Sequence, residues 1–73
     1  MTLKERIIEA NNTNNIKEFS LIAEALRLGN YKIKGQRVYC TYKDVADIFR
    51  SCANISKERF ETIMYECDSI EED

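Results

Sequence analysis

The sequence predicts a small α+β domain, mostly helical, in which four short helices carry one β-hairpin between the second and third. Three observations predict this order of helix, helix, hairpin, helix, helix. Apolar residues recur at helical spacing in four stretches. A polar cap signal (Thr2, Asn15, Thr41 or Ser56) opens each of them. Between the second and third stretch, Tyr31 to Cys40 alternates with period two around Gly35, as a hairpin does. Seventy-three residues suit one domain, 1–73, with a modest core.

The first helix runs from Thr2 to about Ala10, with Leu3, Ile7 and Ala10 on one face. The polar run NNTNN at 11–15 then reads as a loop, and Asn15 with Glu18 forms a capping-box pattern. The second helix, Ile16 to Leu28, places Ile16, Phe19, Ile22, Ala23 and Leu26 on one side. Leu21, Ala25 and Leu28 widen that side, which predicts a central helix. Its polar strip is Lys17, Ser20, Glu24 and Arg27, and Gly29-Asn30 supplies the left-handed stop.

A two-residue turn at Gly35-Gln36 would pair Lys34 with Arg37, Ile33 with Val38, Lys32 with Tyr39 and Tyr31 with Cys40. One face is then apolar (Tyr31, Ile33, Val38, Cys40) and docks on helices. The other is Lys32, Lys34, Arg37 and Tyr39. Thr41 and Asp44 form a capping box, with Cys40 and Val45 as a hydrophobic staple across it. The third helix, Tyr42 to about Cys52, turns Tyr42, Val45, Ala46, Ile48, Phe49 and Cys52 inward. Ser56 caps the fourth, with Ile55 and Phe60 as its staple. Phe60, Ile63, Met64 and Cys67 make a stripe extended by Ile70, and residues 69–73 are expected to be a frayed acidic tail.

Composition narrows the chemistry. Histidine is absent, no nucleophile has a base nearby in sequence, and no glycine-rich loop could cradle a phosphate, so no enzyme and no small-molecule substrate are expected. Cys40, Cys52 and Cys67 are odd in number, lack a C-x-x-C pair and fall at apolar phases. They read as small buried hydrophobes in a reducing, cytoplasmic setting, with neither metal nor cofactor. No long apolar run suggests a leader or a membrane span.

The net charge of −2 hides a split, with +4 between Arg27 and Arg50 and −5 after Ala53. The middle suits an anion and the end repels one. Lysines on a two-stranded edge also deter strand-to-strand aggregation, so the hairpin cations have two readings. Gly35-Gln36-Arg37-Val38-Tyr39, then Thr41 and Asp44-Val45, resembles the wing and following helix of MerR-like and small excisionase winged helix-turn-helix proteins. Asn54-Ile55-Ser56-Lys57-Glu58 is similar to the segment opening their next helix. The resemblance implies a winged-helix-like fold, with Gly35 at the wing tip and Arg37 and Tyr39 on the DNA backbone. Helix two would then show Lys17, Ser20, Glu24 and Arg27 to the groove. Two functions follow as expectations. One is a DNA-binding accessory or transcription-regulating protein using Lys32, Lys34, Arg37, Tyr39, Lys17, Ser20 and Arg27. The other is a protein-binding modulator of the kind small phage genomes encode, acting through Glu58, Glu61 and Glu66 or through the hairpin. Duplex DNA, a partner protein and a second copy of the chain all remain open as partners.

Overall fold

Thr2 starts the first helix with a reciprocal pair of bonds. Its hydroxyl accepts from the Glu5 amide at 3.2 Å, and the Glu5 carboxylate accepts from the Thr2 N–H at 3.4 Å. Two donors that a helix start leaves open are thereby satisfied. In the computed structural model, which describes residues 1–37 and 39–71, α1 runs Leu3–Thr13, past its expected end near Ala10. The side chains of Ile33 and of residues 69–71 are also outside the description. The expected docking of Ile33 and Val38 and the stripe's extension to Ile70 therefore lie outside the described residues.

The run NNTNN is not the expected loop. Asn11, Asn12 and Thr13 continue α1, and Asn14 and Asn15 alone separate it from α2 (Ile16–Arg27). Asn14 adopts a left-handed φ of 51°, which asparagine tolerates better than most residues. The next amide, of Asn15, donates back to the Ala10 carbonyl at 2.9 Å, so the helix ends in the manner usual for glycine, without a glycine.

Asn15 also caps α2, its side chain accepting from the Glu18 amide at 3.1 Å. The expected box is only half made. The Asn15 N–H is already held by Ala10, and the Glu18 carboxylate instead accepts from Arg6 Nε of α1 at 2.9 Å. The central position expected for α2 is found: Phe19, Ile22, Ala23 and Leu26 are buried, and α1, α3 and α4 all pack on it. Its apolar face is narrower than expected, because Leu21 and Leu28 are 51% and 56% exposed. Leu21 and Leu28, seven residues apart, lie on the side that the three neighbouring helices leave exposed. Gly29, at φ 74°, ends the helix, and the Asn30 amide donates to the Ala25 carbonyl at 2.9 Å.

Two short strands follow, β1 (Lys32–Ile33) and β2 (Gln36–Arg37), paired antiparallel with Lys32 opposite Arg37 and Ile33 opposite Gln36. The turn is thus Lys34-Gly35, one residue earlier than expected. Both turn residues have positive φ, 52° and 80°, the pattern whose twist suits antiparallel strands. A glycine-first turn at Gly35-Gln36 would leave only one such residue. Lys34 therefore sits at the tip and does not face Arg37, while Lys32 and Arg37 share a face.

The remaining caps match the sequence reading. Thr41 Oγ1 accepts from the Asp44 amide at 3.2 Å, the Asp44 carboxylate accepts from the Thr41 N–H at 3.0 Å, and α3 spans Tyr42–Ala53. Ser56 Oγ accepts from the Arg59 amide at 3.1 Å at the start of α4 (Lys57–Glu71). Cys40, Val45, Ile55 and Phe60, the staple residues of both starts, are buried. α4 is helical through Glu71, and the end of the expected acidic tail, residues 72–73, lies outside the described residues. The four helices close on one core in which Phe49 stands 5.2 Å from Phe19 and 5.8 Å from Phe60, centroid to centroid. Among the described residues, no helix is long and apolar enough to cross a membrane.

The capping box carries a pH signature. The Thr41 backbone N–H, and then its hydroxyl, hold the Asp44 carboxyl below the ordinary carboxylate range. A value lowered by folding adds stability that is complete above the unfolded value of about 3.9 and vanishes as pH falls through the folded value. The stability advantage of the wild type over Asp44→Asn should therefore be constant above pH ~5 and shrink as pH falls below ~4. Urea midpoints across this range check it, and an advantage that does not depend on pH would contradict it.

Candidate nucleic-acid interface

Among the described residues, neither strand packs on any helix, and the ties between ribbon and helices lie at the ribbon's base. On the exit side the Cys40 N–H donates to the Leu26 carbonyl at 3.1 Å, a carbonyl that also accepts from the Gly29 amide at 3.3 Å. The Cys40 side chain is buried, and burial, with a smaller push from Asp44, raises its thiol. It stays protonated at neutral pH and acts as a small hydrophobe. Beside it the Tyr39 ring lies over Gly29, where an added Cβ would sit 2.7 Å from Tyr39 Cε1.

On the entry side the tie is polar. Tyr31 is half-buried, and its hydroxyl accepts from one Nη of Arg6, whose guanidinium carbon lies 6.0 Å from the ring centroid. Arg6 gives its Nε and its other Nη to the same Glu18 oxygen. The hydrogen bond to Glu18 outweighs desolvation and raises Arg6 above its ordinary value, so the group is charged at every pH at which the chain folds. One guanidinium thus joins α1, α2 and the residue that enters the ribbon.

Beyond those ties the ribbon exposes Lys32, Lys34 and Arg37. None has a carboxylate partner, the ion pair among the described residues being Arg6–Glu18. Lys32 directly faces Arg37, a like-charge cross-strand pair that costs a few tenths of a kcal/mol, and Lys34 holds a left-handed conformation costing about 1 kcal/mol. An anion at the tip would relieve the repulsion. Tyr39, grouped with these cations from the sequence, is 64% exposed yet has one side laid against Gly29, so it belongs to the base of the ribbon.

The α2 candidates have a different setting. Lys17, Glu24 and Arg27 are exposed and Ser20 is half-buried. Ser20, Glu24 and Arg27 line a groove of about 260 Å³ with Met64, Cys67 and Asp68 of α4. The acidic helix is therefore alongside the strip that would read a nucleic-acid groove, and Leu21 and Leu28 stand exposed on α2 where donors would be needed. On α4 itself, Glu58 and Glu61 are exposed one turn apart. Glu66 is half-buried, with Oε2 enclosed and without a hydrogen-bond partner, so the three acids do not form one surface.

Sequence reasoning missed Arg6, and it gave Glu18 to a cap. No periodicity marks a polar contact between α1 and α2 twelve residues apart in sequence. The short NNTNN connection, which sets that approach, was itself hidden by its loop-like composition. No family model, curated protein or solved structure matches the chain.

The two glycines separate base from tip. Gly29→Ala meets both a strained φ of 74° and the Tyr39 ring, whereas Gly35→Ala, at φ 80°, meets no atom within 4 Å. Gly35→Ala should cost about 1 kcal/mol from backbone strain alone, and Gly29→Ala clearly more, because Tyr39 must move. Urea unfolding of the two variants measures the difference, and equal midpoints would remove the Tyr39 contact from the base.

Proposed function

We propose that the chain is a small non-enzymatic nucleic-acid-binding accessory or regulatory protein that grips phosphates with its basic ribbon, used as the wing of a winged-helix-like domain. The observation that carries this reading is a ribbon with three exposed cations, none of them ion-paired among the described residues, and no acid on it. Phosphate contacts need no base-reading donors, and they supply most sequence-independent affinity. The contact is then to backbone and tolerant of sequence, since the α2 strip shares its groove with Asp68.

Three phosphate contacts give a slope of log K against log salt of about −2.7, so affinity for a random duplex should fall roughly 40-fold between 50 and 200 mM salt. Arg37→Ala should weaken binding and reduce the slope by about 1. Fluorescence anisotropy with a labelled duplex reads both. Absence of binding at low salt, for wild type and variant alike, would end this reading.

A second reading, a protein-binding modulator, is favoured by the exposed Glu58 and Glu61 pair one turn apart on α4. For that reading, charge reversal at these two acids abolishes capture of a partner while the ribbon variants leave it intact. The opposite pattern excludes the acidic surface.

A further inference from the structure

We infer that Arg6, Glu18 and Tyr31 form a positioning clasp that sets the direction in which the basic ribbon leaves the helices, and thereby its affinity for a polyphosphate backbone. This rests on the nucleic-acid reading above for its ligand, though not for its geometry. The contacts that tie the ribbon to the helices among the described residues all lie at its base. Two base contacts, Cys40 N–H to the Leu26 carbonyl and Tyr39 over Gly29, are both on the exit side and both at the end of α2. On the entry side the Tyr31 ring packs against the core, and the bond from Arg6 to its hydroxyl ties that side to a different helix, α1, which fixes the ring's direction.

The chemistry suits positioning more than simple attraction. A guanidinium presents its donors in a rigid plane, and here Nε and one Nη are fixed on Glu18 while the other Nη meets Tyr31. Glu18 orients the fork, and the fork places the hydroxyl. Tyr31 immediately precedes Lys32, so its position is passed directly to the first cation. From Tyr31 to the tip at Lys34 is about 10 Å of extended chain, so a 10° tilt at the base moves the tip by roughly 2 Å, enough to break a phosphate hydrogen bond. Arg6, neutralised by Glu18, does not itself count among the phosphate contacts.

Tyr31→Phe tests this, because it keeps the ring and deletes only the hydroxyl. Arg6→Lys is the second variant, keeping the charge and deleting the fork. Two readouts separate the clasp from its ligand. Without nucleic acid, limited trypsin should cut after Lys32, Lys34 and Arg37 several-fold faster in both variants than in wild type. With a labelled duplex at fixed salt, affinity should fall about three- to ten-fold while the salt slope stays that of wild type, unlike Arg37→Ala. Unchanged cleavage rates would overturn the clasp, and so would a slope reduced by about 1, which would make these residues phosphate contacts themselves. Faster cleavage in a protein that binds no duplex at all would uphold the clasp and end the nucleic-acid reading.

Discussion

Phe49 is the point on which the fold depends. It is fully buried on α3, with Phe19 of α2 on one side and Phe60 of α4 on the other, and Phe60 in turn meets the Tyr42 ring edge-on at 5.5 Å. A domain of this size holds one core, and this aromatic row fixes how three of its four helices cross. α1 joins through Ile7 and Ala10 and packs on α2 and α3.

Charge divides between α4 and the ribbon. Glu58, Glu61 and Asp68 of α4 are exposed, while the described ribbon residues carry only cations. Arg6 and Glu18 belong to neither surface: they neutralise each other where α1, α2 and the ribbon entry meet. A chain with net charge −2 can therefore carry a locally positive ribbon, because the described ribbon residues include three cations and no acid.

Local signals were legible in the sequence and longer-range ones were not. Thr41 with Asp44, Ser56, and Gly29 with Asn30 each act within a few residues, and each is found in the structure. The NNTNN run misleads because asparagine is at home both in loops and in left-handed helix ends. Only the bond from Asn15 to Ala10 decides between them. The ribbon register turns on whether Lys34 accepts a positive φ, which composition alone does not reveal. Leu21 and Leu28 read as core because helical phase counts apolar residues but not the neighbours available to cover them. At the candidate site the cations were visible, whereas the Arg6 fork that holds their base depends on how α1 approaches α2, a tertiary fact.

Each strand of the ribbon is two residues long. An outer edge of that length offers a passing chain hardly more than one backbone donor and acceptor, too little to template a further strand. Gatekeeping lysines earn their place on long flat edges, and this edge has almost nothing to guard. Brevity already limits recruitment of the described strands into a larger sheet, whatever charges they carry.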